Sequence, residues 1–427
     1  MRNGNLEKSH GSAWIRAVVQ ASLLAGSIVT VMGCTAAMES GDSGGSGSGS
    51  GGGRGGGGGG DDGNTSGGWT KLPLITDKFD PQVEVPRAGE DTVTGIYFES
   101  PDKGLIVTQG GFNTTNDGGA IFKVTHTAVT AVAYSSHDNT PNFVGLERTA
   151  SGYLALSREN LLVSSSDGGA TFTAQRASGS LTRVLGLRLS ATGMTKVTDN
   201  GVVATTADTA PTAATRYEDI WAPRAIPSIP EQIALGDCEV GPGSILPATK
   251  ASVHVSADRN FIAYVVNDGF DRPTACVSNN GGQSFQARLL DVPETGTTPS
   301  GILFISPTVG LAWGTIGVDG AYINRTSDSG RTWKRVGIPD PLAAHHLEMP
   351  VGFFAPDGEH GWLAGIDHDT LNTAVLLTTS DGGTTWTNVA GFGAAVDALH
   401  GSKLYSGFAV DATHIWLGGD AGLVIHN

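Results

Sequence analysis

Short apolar runs alternate with turn residues along most of the chain. Between residues 301 and 336, the runs GILFIS, LAWGTIG, AYINRT and WKRVG are separated by segments rich in Gly, Pro and Asp. Short runs rich in β-branched and aromatic residues, bounded by such segments, are typical of β-strands. This stretch therefore predicts four strands. The same order recurs in 261–285 and 352–389, and no long segment shows the helical period.

An eight-residue motif, Ser/Thr-x-Asp-x-Gly-x-Thr-Trp, follows the third run of each repeat. It is complete at 326–333 and 379–386, and its weaker copies are 115–122, 165–172, 206–212 and 278–285. Successive copies start 41 to 53 residues apart, except for one gap of 72 residues that contains the Pro-rich insertion 221–250. A period of this size indicates one supersecondary unit per repeat, as in β-propellers.

The two ends of the repeat region complement each other. Residues 406–427 supply three strands without a motif, and residues 64–72 supply a worn motif running into a fourth strand. We therefore predict an all-β fold, a seven-bladed propeller of four-stranded antiparallel blades. Pairing of the amino-terminal strand with the carboxyl-terminal blade would close the ring and remove exposed sheet edges.

The polar residues of the motif have a structural explanation. The Ser/Thr hydroxyl and the Asp carboxylate can accept hydrogen bonds from turn amides, the glycines permit positive φ, and the final aromatic ring can pack on the sheet. We assign this structural role, and no catalytic role, to Asp117, Asp167, Asp208, Asn280, Asp328, Asp381, Trp333 and Trp386.

These octets resemble the Asp-box (BNR) repeats of sialidases and sortilin-like receptors. With the strands around them, as in GWLAGID followed by TSDGGTTW, residues 65–427 are similar to the photosystem II assembly/stability factor-like propeller family. The resemblance implies a propeller that acts as a binding or assembly module. The photosynthetic branch of the family acts as a chaperone for a membrane subunit and uses an arginine-rich surface. This chain has only scattered arginines, so we expect a more general contact with a protein or glycan.

The amino terminus reads as an export signal followed by a tether. Basic residues precede the uncharged segment 17–32, which is short for a membrane span and typical of a secretory signal. It ends in Gly33-Cys34, which resembles the bacterial lipoprotein box and implies cleavage after residue 33 and lipidation of Cys34. The Gly-rich segment 34–68 then forms a flexible tether, and the propeller spans 69–427. An ordinary secretory signal with an incidental cysteine is the alternative.

The net charge and the number of cysteines exclude some classes of function and of scaffold. The 427-residue chain has a formal net charge of −15, which argues against nucleic-acid binding, and its three cysteines exclude a disulfide-rich scaffold. Once Cys34 is lipidated, Cys238 and Cys276 remain. Because export permits disulfides, we predict that these two are bonded and staple the insertion.

The loops between the second and third strands form the predicted contact surface, together with the insertion. Its residues are Asp319, Asp367–Asn372 (with Asp367, His368 and Asp369) and Gly269–Pro273 (with Asp271). The run Asp367-His368-Asp369, and equally His137-Asp138 or the pair of Asp268 and Asp271, has donors for a cation. Without EF-hand or zinc spacing, solvated loops are the simpler interpretation, so we assign no metal. His345-His346 carries no signal of its own.

The sequence as a whole predicts an exported, lipid-anchored, monomeric propeller that binds a protein or glycan at the cell envelope, without a cofactor or a reaction of its own. The alternative is a sialidase-like glycoside hydrolase. That chemistry needs an arginine triad and a Tyr–Glu pair. The Tyr–Glu pair is poorly matched by Tyr217-Glu218-Asp219, because Tyr217 and Glu218 as strand neighbours would face opposite sides. The segment 222–227 is the nearest match to the arginine motif of sialidases but lies in the wrong place in the chain.

Overall fold

The computed structural model describes residues 65–66, 68–72, 92–108, 111–117, 123–125, 143–150, 152–157, 161–176, 184–190, 193–198, 203–206, 238, 253–267, 272–282, 284–292, 296–317, 320–398 and 403–427. The compact unit to which they belong is Asp61–Asn427. No helix within these ranges has both the length and the apolar character needed to cross a membrane.

The described chain forms seven antiparallel sheets. Two short strands come first, β1 (Thr65–Ser66) and β2 (Trp69–Lys71). Sheets 1 to 3 then comprise β3 (Val93–Phe98), β4 (Gly104–Thr108), β5 (Gly111–Thr115), β6 (Lys123–Thr125); β7 (Phe143–Arg148), β8 (Tyr153–Ser157), β9 (Leu161–Ser165), β10 (Thr173–Arg176); and β11 (Val184–Ser190), β12 (Gly193–Thr198), β13 (Val203–Thr206).

The remaining four sheets continue in chain order. Sheets 4 and 5 comprise β14 (Val253–Val255), β15 (Ile262–Asn267), β16 (Pro273–Ser278), β17 (Gln286–Leu289); and β18 (Thr297–Phe304), β19 (Gly310–Ile316), β20 (Gly320–Thr326), β21 (Lys334–Val336). Sheets 6 and 7 comprise β22 (Leu347–Phe354), β23 (Gly361–Asp367), β24 (Thr373–Thr379), β25 (Thr387–Asn388); and β26 (Leu404–Ala409), β27 (Ile415–Gly419), β28 (Val424–His426).

Within sheets 1 to 6 the strands pair in sequence order, and five of the seven sheets have the predicted four antiparallel strands, which confirms the all-β class and the four-stranded unit. Among the described residues, sheet 3 has three strands. Its expected fourth strand and the motif around Asp208 lie outside the described residues. The second strands are buried along their whole length in sheets 5 and 6, which explains why they read as continuous apolar runs.

A bulge recurs where the first strand of a sheet pairs with the second. The register shifts there in six of the seven sheets, for example between Glu348 and Val351 in sheet 6. Gly365 of β23 lies opposite that shift, and a Cβ at this position would overlap the Glu348 carbonyl group. Glycine is therefore required at this close approach of two backbones.

Neighbouring sheets contact each other through their first strands. β3 contacts β7, and the same relation runs through β11, β14, β18, β22 and β26, which in turn contacts β3. Apolar side chains fill the space between adjacent sheets. Trp313 of sheet 5 donates its indole N–H to the Met349 carbonyl of sheet 6 at 2.9 Å, and the rings of Phe98 and Trp416 stack at 3.8 Å. The core is thus distributed between sheets.

The amino-terminal strand joins the carboxyl-terminal sheet. Thr70 pairs with His426 and Lys71 with Ile425, so sheet 7 has the order β1-β2-β28-β27-β26. The pairing begins at Thr65, four residues before the propeller start that the sequence predicts, because Ser66 and Trp69 form a tight hairpin around Gly68, whose φ is 87°. This hairpin extends sheet 7 to five strands.

One α-helix, α1 (Phe392–Ala398), lies within the described residues. Phe392, Ala395 and Val396 are buried, which is the i, i+3, i+4 spacing of a helical face. The ring of Phe392 meets Trp69 edge-on at 5.1 Å. Seven residues are too few for the helical period to stand out among strands, so the sequence pattern did not predict this helix.

A disulfide joins Cys238 to Cys276 of β16, with Cα atoms 5.9 Å apart. Both cysteines are fully buried, and the Tyr264 hydroxyl group donates to the Cys238 carbonyl oxygen at 3.2 Å. Of the insertion 221–250, only Cys238 is among the described residues. The bond therefore ties the insertion to sheet 4.

Candidate binding surface and its histidine–aspartate cluster

The Asp-box motifs form turns between the third and fourth strands of their sheets. Asp328 accepts hydrogen bonds from the Thr326 hydroxyl group (2.8 Å) and from the amide and hydroxyl groups of Thr332 (2.9 and 2.7 Å). Equivalent bonds recur at the motifs centred on Asp167, Asn280 and Asp381. Asp117 accepts from the Thr115 hydroxyl group at 2.7 Å.

These bonds stabilise the charged carboxylates. Burial raises the pKa of Asp328, but hydrogen bonds from Thr332 outweigh it and lower the pKa to about 2. Hydrogen bonds to the Thr171 side chain and amide lower the pKa of Asp167 to the same value. The motif rings of Trp333 and Trp386 are buried. A base with a pKa near 2 is poorly matched to proton transfer at neutral pH, so the motifs serve the turns.

Most of the predicted contact loops lie outside the described residues, among them Asp319, Asp271, Asp268, His137, Asp138 and the insertion apart from Cys238. Cys34 and Asp208 lie outside them as well. The exception is Asp367–Asn372, which joins β23 to β24 at the end of sheet 6 opposite its Asp-box turn. The candidate surface is built around this loop.

The loop is held in a defined conformation. Asp367 ends β23 and is only 2% exposed; its Oδ1 accepts the Asp369 amide at 3.0 Å and so caps the 3₁₀ turn His368–Thr370. Leu371 and Asn372 follow, both with φ of 62°. Asparagine tolerates this left-handed conformation, whereas leucine adopts it rarely. Leu371 is nevertheless 95% exposed, with its side chain directed away from the core.

A second loop lies against the first. The 3₁₀ turn Leu342–Ala344 leads into His345, which precedes β22, and His345 Nδ1 is 2.6 Å from Asp367 Oδ2. The His346 amide donates to Asp369 Oδ2 at 3.0 Å, and the His346 carbonyl oxygen accepts the His368 amide at 3.0 Å. Three hydrogen bonds therefore fix one loop to the other.

The His345–Asp367 pair is electrostatically matched. The hydrogen bond to Asp367 raises the pKa of His345. Burial raises the pKa of Asp367, but hydrogen bonds from His345 and the Asp369 amide outweigh it and leave the pKa below its ordinary value. Both shifts favour the charged forms of the two partners.

Two more imidazoles extend this group, which we name the histidine–aspartate cluster: His345, His346, Asp367, His368 and Asp369. The rings of His346 and His368 lie 4.6 Å apart. His368 Nδ1 is 2.7 Å from Asn372 Oδ1, and its Nε2 is 3.2 Å from Glu348 Oε2.

Sheet 7 continues the same surface. Burial raises the pKa of Tyr405, and the charge of Asp420 and a hydrogen bond to its carboxylate raise it further, to about 12. Asp420 follows β27, in the loop that corresponds to Asp367–Asn372 of sheet 6. With Glu348, Asp367 and Asp369, it brings the carboxylates of this surface to four, and Asp367 and Asp369 lie in the same loop as the exposed Leu371. The surface is therefore acidic with one apolar side chain at its tip.

Sequence reasoning identified Asp367, His368 and Asp369 but not His345 or His346. The usable signal was topological. The chain enters a first strand at the same end of the sheet at which the second strand passes to the third, so the residues before β22 had to lie near those after β23.

A Tyr–Glu pair exists at the opposite end of the body, where the first strands of sheets 1 and 2 finish. The Tyr153 hydroxyl group is 3.2 Å from Glu99 Oε1, and Arg148 also contacts Glu99. Burial and the Glu99 charge raise the pKa of Tyr153 to about 12. The neutral Tyr153 hydroxyl group donates a hydrogen bond to Glu99, and the ion pair between Arg148 and Glu99 joins sheets 1 and 2. Tyr217 and Glu218 lie outside the described residues.

Comparison with known proteins rests on structure. No family model matches the sequence, and no curated protein matches it. A structure of YCF48 bound to a D1 peptide aligns with a TM-score of 0.55 at 14% identity, over 84% of this chain and 96% of the other. YCF48 from Cyanidioschyzon merolae aligns with a TM-score of 0.54 at 16% identity, over 84% and 98%.

An enzyme aligns nearly as well. The GH74 xyloglucanase from Xanthomonas campestris has a TM-score of 0.53 at 12% identity, over 83% of this chain and 52% of the enzyme, so this chain spans about half of that protein. Similarity at such identities establishes the fold and leaves function to the residues of the site. The chain has the β-propeller fold that it shares with YCF48 and with the GH74 xyloglucanase.

Proposed function

We propose that this protein is an exported, lipid-anchored, seven-bladed propeller that binds a protein partner at the cell envelope and carries out no reaction of its own. Its contact surface is the histidine–aspartate cluster with Leu371, Glu348, Tyr405 and Asp420. The observation that carries the proposal is Leu371, a large apolar side chain that is 95% exposed on a left-handed backbone. Rare backbone conformations persist where surrounding contacts hold them, and they are frequent at functional sites.

The surroundings of Leu371 favour a preformed site. His345, His346 and Asp369 tie its loop to the preceding one. An apolar anchor on a rigid loop loses little conformational entropy on binding. Such an anchor within a polar rim is the arrangement of an interaction hot spot.

The charge of the surface indicates the partner. The surface carries four carboxylates, from Glu348, Asp367, Asp369 and Asp420, and two of them lie in the same loop as Leu371. A partner segment with an apolar residue between lysines or arginines would match both features. Charge complementarity of this kind increases the association rate and selects between partners.

Ring closure supports a stable platform for this surface. Contacts between first strands run from β3 through each sheet to β26 and from there back to β3, and β2 pairs with β28. This cycle of contacts supports the proposed closed, seven-bladed propeller, in which internal edges would be covered. Similarity to YCF48, whose structure holds a D1 peptide, agrees with peptide binding on this fold.

Location is inferred from the sequence. The signal-like segment 1–33, the lipidation candidate Cys34 and the tether 34–68 lead into the folded body. A buried disulfide between Cys238 and Cys276 agrees with an oxidising compartment.

The test is a crosslinking pull-down from intact cells that compares the wild-type chain with Leu371→Ala and with Leu289→Ala as the matched control. Leu289 is 51% exposed on β17 of sheet 4, whereas Leu371 belongs to sheet 6. We expect wild type and Leu289→Ala to capture the same protein and Leu371→Ala to lose most of it, with all three equally stable in urea. Equal capture by all three, or capture of glycan alone, would refute the proposed surface and partner class.

Catalysis is tested separately on the purified chain with aryl-sialosides and other aryl-glycosides. We expect no turnover above the rate without protein. Turnover that co-purifies with the folded protein would replace the binding role with that of a glycoside hydrolase.

A further inference from the structure

We infer that His345, Asp367 and Asp369 form a binding site for a divalent ion of the zinc class. One donor atom from each of the three lies within 4.8 Å of the others. They come from two loops, with His345 22 residues before Asp367. The inference concerns the isolated chain and does not depend on the partner-binding role.

The geometry requires little movement. Zinc binds imidazole nitrogen at about 2.0–2.1 Å and carboxylate oxygen at about 2.0–2.2 Å, so donors in a tetrahedral site are separated by about 3.3–3.5 Å. The His345–Asp367 contact is shorter, at 2.6 Å, and the widest separation in the group is 4.8 Å. A cation would replace the His345–Asp367 hydrogen bond and widen that contact by about 0.7–0.9 Å, and the exposed Asp369 carboxylate would turn towards the pair.

Hydrogen bonds within the loops leave donor capacity unused. Asp367 accepts from His345 and from the Asp369 amide, and Asp369 Oδ2 accepts from the His346 amide. Among the described residues, no hydrogen bond reaches Asp369 Oδ1, His345 Nε2 or the ring nitrogens of His346. The His346 ring instead packs against His368. When a cation replaces the His345–Asp367 hydrogen bond, the bonds donated by the His346, His368 and Asp369 amides still close the loops, and Asp369 Oδ1 is available to the cation.

The donor types select the ion. Imidazole nitrogen favours Zn²⁺, Ni²⁺ and Cu²⁺, whereas Ca²⁺ requires six to eight oxygen ligands and Mg²⁺ favours oxygen. One imidazole with two carboxylates is a mixed set with too few oxygens for calcium. Three protein donors also leave a position open for water or for a donor from another molecule.

The experiment uses the full chain, treated with a chelator and titrated with Zn²⁺ by isothermal calorimetry at pH 7. We expect one ion to bind per chain. His345→Ala and Asp369→Asn should each raise the dissociation constant at least tenfold. Asn at position 369 keeps a carbonyl oxygen to accept the His346 amide, so this variant retains the loop hydrogen bond. Urea unfolding of each variant confirms that it is folded.

His360→Ala is the matched control. His360 forms a similar pair with Asp357 at 2.7 Å, but within the described residues no third donor joins it. We expect this variant to bind Zn²⁺ as the wild type does. The inference is wrong if the wild type does not bind Zn²⁺ stoichiometrically, if His345→Ala and Asp369→Asn bind unchanged, or if Ca²⁺ binds in preference to Zn²⁺. None of these outcomes affects the crosslinking test of Leu371.

Discussion

A single side chain closes each well-formed Asp-box turn. In the motif 326–333, Asp328 receives three hydrogen bonds from two threonines. The motif 278–285 performs the same task with Asn280, whose Oδ1 accepts from Ser278 and from the Ser284 amide and whose Nδ2 donates to the Ser284 hydroxyl group. The same turn is therefore closed by a charged side chain, Asp328, in one repeat and by a neutral side chain, Asn280, in another.

We expect Asp328→Ala to lower the free energy of unfolding by about 1–2 kcal/mol, because three hydrogen bonds are lost at a partly exposed turn. Asp328→Asn should cost less, because the amide can repeat the pattern of Asn280. Urea unfolding at pH 7 measures both. Equal losses in the two variants would mean that charge, and not hydrogen-bond geometry, holds the turn.

The pKa values of the Asp-box carboxylates also predict that the stability of the protein falls at acidic pH. The folded-state pKa values of Asp167, Asp328 and Asp381 are about 2, below the ordinary value of 3.8. Their contribution to stability is therefore complete above about pH 5 and is lost as the pH falls through 3.8 towards 2. We expect the triple Asp→Asn variant to lose less stability than wild type between pH 5 and pH 2.5, measured by the urea midpoint. Parallel curves for the two proteins would contradict this.

At the scale of the element, sheets are joined to segments that periodicity alone does not reveal. Cys276 on β16 is bonded to Cys238, which belongs to the insertion, and α1 covers Trp69 next to sheet 7. Both attachments depend on contacts far apart in the sequence. They attach segments outside the repeated strand pattern to individual sheets.

We expect Cys238→Ala/Cys276→Ala to lower the free energy of unfolding by about 2–4 kcal/mol, since the bond spans 38 residues and restricts the unfolded chain. The measurement is urea unfolding without reductant, and reduced wild type should approach the variant. A variant as stable as oxidised wild type would mean that the insertion does not need its covalent link.

At the scale of the whole molecule, the ends of the folded body meet. Leu72 donates its amide to the Val424 carbonyl oxygen at 2.9 Å, and the Trp69 ring is buried with Leu423 and Ile425 in one apolar cluster. In a closed ring, this junction joins the two ends of the folded body non-covalently, together with the contacts of β26 and β27 with β3. Stability of the proposed ring should be concentrated there.

We expect Trp69→Ala to destabilise the chain by about 3–5 kcal/mol, the usual cost of truncating a large buried ring. Trp69→Phe, which keeps a ring against Phe392, should lose much less. Chemical unfolding followed by tryptophan-independent circular dichroism measures both. A Trp69→Ala chain with wild-type stability would show that the junction does not hold the ring together.

Much of this protein was determined locally by its sequence. Strand runs, turn residues and Asp-box spacing act within a few residues of each other, so they predicted the all-β class, the four-stranded sheets and the structural roles of Asp328 and Trp333. Pairing of the worn motif near Trp69 with the last sheet followed from counting incomplete repeats. These features depend on period and turn chemistry, which are local.

Only the tertiary structure decided the site. His345 carries no local signal in the sequence, and it acquires a role because β22 and β23 run side by side and bring it to within 2.6 Å of Asp367. The left-handed conformation of Leu371 and the burial of Asp367 likewise follow from how two loops close on each other. A site built from residues far apart in the sequence depends on how those segments pack together. Such packing leaves no periodic pattern in the sequence.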